Sequence, residues 1–192
     1  MNIYLVRHTL PAVEQGVCYG QTDLDVADSF EHELSVLKPK LAFLVSPTIF
    51  SSPLQRCLKL ASKMAEHLDT SPVQIDGRLV ELDFGDWELK NWADIPQGIV
   101  AEWTDEHINQ APPNGESYVD LYQRAKQFLD ALVARGGAED KLVVTHAGVI
   151  RALVVEVLNV PLTQASNIEV DYGSVTHIIV ENAVTRIGFV SR

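Results

Sequence analysis

The chain has 192 residues, 46% of them hydrophobic and 21% charged, a composition that suits one globular domain with a full core. Its 15 Lys and Arg against 26 Asp and Glu give a formal net charge of −11, which argues against broad electrostatic binding to nucleic acid or an anionic membrane. Any phosphate site therefore has to be a local cationic pocket. Cys18 and Cys57 show no metal-ligand spacing, so neither a disulfide framework nor a zinc site is indicated, and both are expected as reduced thiols. Met1 leads straight into an apolar run, with no basic flank and long apolar segment behind it, and no stretch reaches membrane-spanning length. The expected location is the cytoplasm.

Residues 2–6 read as a buried strand that delivers Arg7 and His8 at its end. A loop with Pro11, Gly16 and Gly20 runs from there to about Asp25, a length more often functional than idle. A helix is expected over about 28–38 and a second strand over 41–45, ending at Ser46-Pro47. Ser51-Ser52-Pro53-Leu54-Gln55 reads as a helix start, with Ser52 as N-cap, Pro53 at the first helical position and Gln55 completing a capping box. Leu54, Leu58, Ala61, Ala65 and Leu68 then share the face expected to pack on the core.

Residues 73–75 suggest a short strand, and 79–88 carry an acidic and aromatic segment. A weak helix is expected over 96–108, broken by Pro112-Pro113-Asn114-Gly115. The strongest helix spans about 117–135, where Leu121, Ala125, Phe128, Leu129 and Leu132 recur at helical spacing and Gly136-Gly137 stops it. Strand 141–145 delivers His146, a helix over about 148–158 follows, and 174–181 with 184–190 read as a closing hairpin. Strands alternating with helices predict a three-layer α/β/α sandwich with a mainly parallel sheet, formed as a single domain over 1–192. Ligands in such sheets bind outside the carboxyl ends of the strands. The loops expected there hold His8, Arg56 and His146.

A phosphate ester fits these residues. A neutral imidazole can attack phosphorus in line, provided that positive charge and donors already wait for the equatorial oxygens. Arg7 and Arg56 offer that charge, with Arg56 in the first turn of a helix where free N–H groups add to the field. The Ala147-Gly148 peptides open the later helix in the same sense beside His146. Neighbouring guanidinium groups also favour the unprotonated imidazole that a nucleophile needs. A carboxyl group must protonate the leaving oxygen and then deprotonate water; Glu81, among Leu79, Val80, Leu82 and Phe84, is preferred for this role over Asp83 and Glu88. Gln21 and Thr22 offer further donors to phosphate or substrate, or form an ordinary turn. Trp87, Trp92 and Trp103 lie in the segment expected to cover the cleft, where rings can stack on a base, with core packing expected for at least one of them.

Leu5-Val6-Arg7-His8-Thr9, Ser51-Ser52-Pro53-Leu54-Gln55-Arg56-Cys57, Glu81-Leu82-Asp83-Phe84-Gly85-Asp86-Trp87-Glu88 and Thr145-His146-Ala147-Gly148-Val149-Ile150-Arg151 together resemble the histidine phosphatase superfamily, in the branch of phosphoglycerate-mutase-like fold. The blocks occur in the family's order over most of the chain. The resemblance implies a phosphohistidine mechanism without metal or other cofactor: His8 as nucleophile, Arg7, Arg56 and His146 as phosphate pocket, Glu81 as proton donor, and a small-molecule phosphate ester as partner. Within the family, Arg7-His8-Thr9-Leu10-Pro11 followed by Gly16-Val17-Cys18-Tyr19-Gly20-Gln21-Thr22-Asp23 looks most like α-ribazole phosphatases of cobalamin biosynthesis, which implies α-ribazole 5′-phosphate as substrate. Thr9 and Leu89 stand where Gly is common in the family. The alternatives are a phosphoglycerate mutase-like phosphotransferase using the same pocket, and a phosphoester-binding module without turnover.

Overall fold

The computed structural model describes residues 1–70, 72–98, 100 and 108–192. Six strands form one mixed sheet: β1 (Asn2–Arg7), β2 (Thr48–Ser51), β3 (Gln74–Ile75), β4 (Lys141–Thr145), β5 (Val175–Glu181) and β6 (Val184–Phe189), in the order β3-β2-β4-β1-β5-β6. The pairs β3/β2, β2/β4 and β4/β1 are parallel, whereas β5 and β6 add an antiparallel hairpin at the β1 edge. The α-helices that lie wholly within the described residues are α1 (Phe30–Leu41), α2 (Gln55–His67), α3 (Tyr118–Arg135) and α4 (Ala147–Leu158).

Side chains of a strand alternate between sheet faces, and a strand covered on both faces must be apolar throughout. In β1, Ile3 and Leu5 enter a core with α3 and α4, while Tyr4 and Val6 enter a second core with α1 and α2. Val143 and the pair Leu142 and Val144 divide in the same way in β4. The expected three layers are therefore present, with α1 and α2 on one face and α3 and α4 on the other.

The ends of α3 match their sequence signals. Ser117 and Asp120 form a reciprocal capping box, and Gly136 closes the helix at φ +64°, a left-handed backbone that glycine adopts without a Cβ clash. Two expectations near residue 50 are corrected. The second strand is Thr48–Ser51, not 41–45: Leu41 ends α1, Leu44 packs back on the core, and Phe43 and Val45 are 58% and 85% exposed. An apolar run alone does not distinguish a strand from the frayed end of a helix. Helix α2 begins at Gln55 with Leu54 as N-cap and no side-chain cap. Its buried face is Arg56, Cys57, Leu60, Ala61 and Met64, whereas Leu54, Leu58, Ala65 and Leu68 are half-buried. The helix is turned so that a guanidinium and a thiol face the sheet in place of two leucines. Most of the helix expected over 96–108 lies outside the described residues, as does Trp103.

Candidate active site

Three parallel strands end side by side. Arg7 of β1 is in register with Thr145 of β4, and Ser51 of β2 with Val144, so the residues that follow each strand emerge on one rim. The His8 N–H donates to the Thr145 carbonyl at 3.0 Å, and the Ser52 N–H to the Val144 carbonyl at 3.0 Å, which extends the ladder past the strand ends and fixes both residues. As a result the rings of His8 and His146 lie 5.0 Å apart at 64°.

The hydrogen bonding of His8 assigns its tautomer. Nδ1 lies 2.7 Å from the Thr9 carbonyl oxygen, which can only accept, so Nδ1 carries the proton and Nε2 keeps its lone pair. Burial, with the Arg56 and Arg7 charges, lowers the His8 pKa to about 3 against the opposing Thr9 bond. The ring is thus neutral at physiological pH. His146 is fully buried and its pKa is likewise lowered well below the ordinary value, first by desolvation, with the nearby arginine charges acting in the same direction. Its Nε2 is 2.9 Å from the Ser52 hydroxyl, and the Cys57 Sγ lies 3.4 Å from the same nitrogen. Burial pushes the Cys57 thiol well up, so it is a protonated packing group there.

Arg56 is wholly buried and bound at its tip: Nη1 donates to the Thr22 carbonyl at 2.8 Å and Nη2 to the Gly20 carbonyl at 2.6 Å. Gly20 also lies tight against the acidic segment, where a Cβ would sit 1.9 Å from the Leu82 carbonyl oxygen. Arg7 donates from Nη1 to the Val170 carbonyl at 2.6 Å and stacks its guanidinium on the Tyr172 ring at 3.6 Å. Tyr19 lies over Arg56 at 5.5 Å, and the Tyr19 and Tyr172 hydroxyls hydrogen-bond to each other, joining the two cation–aromatic stacks. Among the described residues, four buried side-chain polar atoms have no hydrogen-bond partner: Arg7 Nε, Arg56 Nε, Thr9 Oγ1 and Ser174 Oγ. All belong to His8, its sequence neighbours or residues bonded to or acting on them. Such groups are costly to bury unless an anion or water meets them.

Glu81 approaches from the opposite sheet face. The Thr145 hydroxyl donates to the Leu79 carbonyl at 2.8 Å, and Arg124 Nη2 donates to the Glu81 carbonyl at 3.0 Å, so the segment before the carboxylate is anchored to β4 and α3. Oε1 accepts from the Leu82 N–H at 2.9 Å and Oε2 from the Gly148 N–H at 3.1 Å, beside His146. Gly148 is needed at this contact, since a Cβ would stand 2.2 Å from Glu81 Oε1.

A cavity of about 350 Å³ opens over Arg7, His8, Glu81 and the first residues of α4. Its outer wall includes Val17, Leu82, Phe84, Trp92 and Arg151. Five predicted residues, Arg7, His8, Arg56, Glu81 and His146, thus converge. Gln21 and Thr22 lie beside them but outside the cavity lining: Thr22 binds Glu88 through its N–H and hydroxyl, and the Gln21 amide donates to the Glu81 carbonyl at 3.1 Å. Glu88 also accepts from the Gln21 and Phe84 N–H groups, and these bonds hold its pKa low although burial opposes them. It therefore pins the first loop to the acidic segment. Trp92 lines the cavity, while Trp87 is buried against Cys18 and Ile95. Leu89 takes the left-handed backbone at φ +65°, where a Cβ is strained. Sequence reasoning missed Tyr172, which reaches Arg7 only through the fold, and assigned no role to Arg151. The spacing of Arg151 from Gly148 was the available signal. Among the described residues, no group of three or more His, Cys, Asp or Glu is placed to hold a metal ion, and no helix is long and apolar enough to cross a membrane.

Comparison with known proteins identifies the family. The chain is 31% identical to the adenosylcobalamin/α-ribazole phosphatase of Escherichia coli (strain K12), covering 90% of this chain and 87% of that protein. It is 26% identical to phosphoserine phosphatase 1 of Hydrogenobacter thermophilus, covering 94% and 87%. The native structure of mycobacterial glucosyl-3-phosphoglycerate phosphatase superposes with a TM-score of 0.86 at 26% identity, covering 99% and 98%. The sequence model of the histidine phosphatase superfamily (branch 1) matches residues 3–190, and the chain belongs to that family, as a phosphatase acting on phosphoric monoesters.

Proposed function

We propose that the protein hydrolyses phosphomonoesters through a phosphohistidine at His8 Nε2, without a metal ion. The observation that carries this reading is the His8 ring, neutral, with Nδ1–H tied to a carbonyl, the Nε2 lone pair left for attack, and the Arg56 and Arg7 charges acting on the ring. In the first step Nε2 attacks phosphorus and the P–O bond to the leaving group breaks, while Arg7, Arg56 and His146 meet the charge on the equatorial oxygens. Glu81 delivers a proton to the departing oxygen. In the second step Glu81 takes a proton from water, the water oxygen attacks phosphorus, and the P–N bond breaks to return His8 and release phosphate.

The proposed substrate is α-ribazole 5′-phosphate. Similarity to α-ribazole phosphatases supports it, and so do Phe84 and Trp92, whose rings suit a planar base. The test is phosphate release in EDTA from α-ribazole 5′-phosphate, 3-phosphoglycerate and an aryl phosphate, together with acid quenching of the enzyme on labelled ester. Undiminished turnover and an acid-labile phosphoenzyme are expected. Full activity in His8→Ala would sink the mechanism, and preference for either other ester would remove α-ribazole phosphate. Transfer of the phosphoryl group to a second hydroxyl in place of water would identify a mutase.

A further inference from the structure

The stretch that carries Glu81 runs between two single turns, Gly77–Leu79 and Gly85–Trp87, outside the sheet and the α-helices, so its backbone groups have to find partners elsewhere. One side chain of α3 supplies most of them. Arg124 donates from Nη1 to the Arg78 carbonyl at 2.9 Å and to the Val80 carbonyl, and from Nη2 to the Glu81 carbonyl at 3.0 Å. The second N–H of Nη2 and that of Nε go to the two carboxylate oxygens of Glu116, so all five donors of the guanidinium are used.

Glu116 closes the far side of the same stretch. Its N–H donates to the Asp83 carbonyl at 3.0 Å, and its Oε1 accepts from the Asp83 N–H at 3.1 Å. Gly115 permits that approach, since a Cβ there would lie 2.4 Å from the Asp83 carbonyl oxygen. The Gln21 amide reaches both parts of the clamp, donating to the Glu81 carbonyl at 3.1 Å and to Glu116 Oε1 at 3.4 Å. Neither Arg124 nor Glu116 lines the cavity, so neither is placed to touch a substrate. The Glu81 carboxylate, however, accepts from the Leu82 N–H of this stretch as well as from Gly148, and a shift of the stretch carries the carboxylate with it.

We propose that Arg124, clamped by Glu116, is a positioning residue that holds the Glu81 carboxylate where the leaving oxygen departs, so that its loss slows each ester according to how much the leaving group needs a proton. The inference rests on the proton-donor role given to Glu81 above. A displacement of about 1 Å is enough to cost about 10²-fold in rate.

Phenyl and 2,4-dinitrophenyl phosphate test this, because a phenolate is basic and gains from protonation as it leaves, whereas a dinitrophenolate departs unprotonated. The quantity compared is kcat/KM, which covers only the steps through loss of the leaving group. Arg124→Met is expected to lower it about 30-fold or more on the phenyl ester and less than about threefold on the dinitrophenyl ester, with inhibition by inorganic phosphate unchanged. Glu116→Gln keeps the Arg124 charge and loosens its partner; the ratio between the esters is expected to move the same way, by about tenfold. Arg124→Lys, with fewer donors, is expected to fall between wild type and Arg124→Met. An equal loss on both esters, the result of general loosening, overturns the proposal. So does a ratio that moves in opposite directions in Arg124→Met and Glu116→Gln, the mark of charge acting on Glu81 instead of placement. Glu116→Gln and Arg124→Lys decide the question if Arg124→Met does not fold. Glu81→Ala separates the clamp from the role it serves: selective loss on the phenyl ester in Glu81→Ala but not in the clamp variants discards the clamp and keeps the proton donor. Equal loss on both esters in Glu81→Ala discards the proton donor, and the clamp with it.

Discussion

The two halves of the cavity are built differently. At the phosphate end each side chain is tied to backbone or to a buried neighbour: Arg56 to Gly20 and Thr22, Arg7 to Val170, His8 to Thr9, His146 to Ser52, and Glu81 to Leu82 and Gly148. At the leaving-group end the wall comes from Val17, Phe84, Trp92 and Ser166, on loops and short turns, with Tyr118 and Arg151 contributed by helices. Attack on phosphorus requires atoms held to fractions of an ångström, so its groups sit on strand ends and are over-determined. Recognition of the leaving group tolerates looser walls. Loops can change there without disturbing the chemistry.

The largest break in this contrast comes from the nucleophile. His8→Ala is expected to lower kcat by a factor of at least about 10³ on every ester, whatever its leaving group. Steady-state rates on an aryl phosphate and on a hydroxy-acid phosphate check this; selective loss on one of them would assign His8 to recognition.

Gly148→Ala is next. The added Cβ lies 2.2 Å from Glu81 Oε1 in the present geometry, so the carboxylate has to move. A fall in kcat of about 10²–10³ is expected, the scale of general acid–base assistance, with inhibition by inorganic phosphate little altered. A change in phosphate inhibition equal to the change in kcat would place the damage in the anion pocket instead.

Arg56→Lys keeps the charge and loses the fork. The Gly20 and Thr22 carbonyls then share one ammonium, and the expected cost is about 2–4 kcal/mol of stability. Urea unfolding reads it directly. No change in midpoint would show that the first loop is held without the Arg56 fork, by Glu88 and the Gln55–Asp23 bonds.

Acid should weaken the same end of the molecule. The folded His8 pKa, about 3, lies below the ordinary 6.5, and that of His146 is lowered too. Between those values the unfolded chain binds more protons than the folded one. Stability is therefore full above about pH 6.5 and falls as pH drops toward 3. Urea midpoints at several pH values test this, and His8→Ala should flatten part of the slope. A midpoint that rises on acidification contradicts the neutral ring.

The same contrast governs what could be read from the sequence. The strands that carry His8 and His146 were legible because strands buried on both faces are continuously apolar, and α3 because its core positions repeat over 18 residues between a cap and a glycine. Strand β2 was not. Thr48–Ser51 is short and half polar, while the more apolar run before it belongs to the end of α1. The core-facing side of α2 was misjudged for a related reason: hydrophobic patterning selected Leu54, Leu58, Ala65 and Leu68, whereas the fold buries Arg56 and Cys57, the former already expected at the phosphate site from its place in the first turn. The partners of the five converging residues, such as Tyr172, Arg124 and the Thr9 carbonyl, arise from contacts distant in sequence or from backbone orientation. Neither leaves a local pattern.

The bond from His8 Nδ1 to the Thr9 carbonyl has one more consequence under the proposed mechanism. A phosphoryl group arriving at Nε2 leaves the ring with its other nitrogen already protonated, so the covalent enzyme must be the tele regioisomer of phosphohistidine and not the pros form. The two differ in the phosphorus and nitrogen resonances of the ring and in hydrolytic lifetime. A single backbone carbonyl thus determines which isomer accumulates when water is slow to attack.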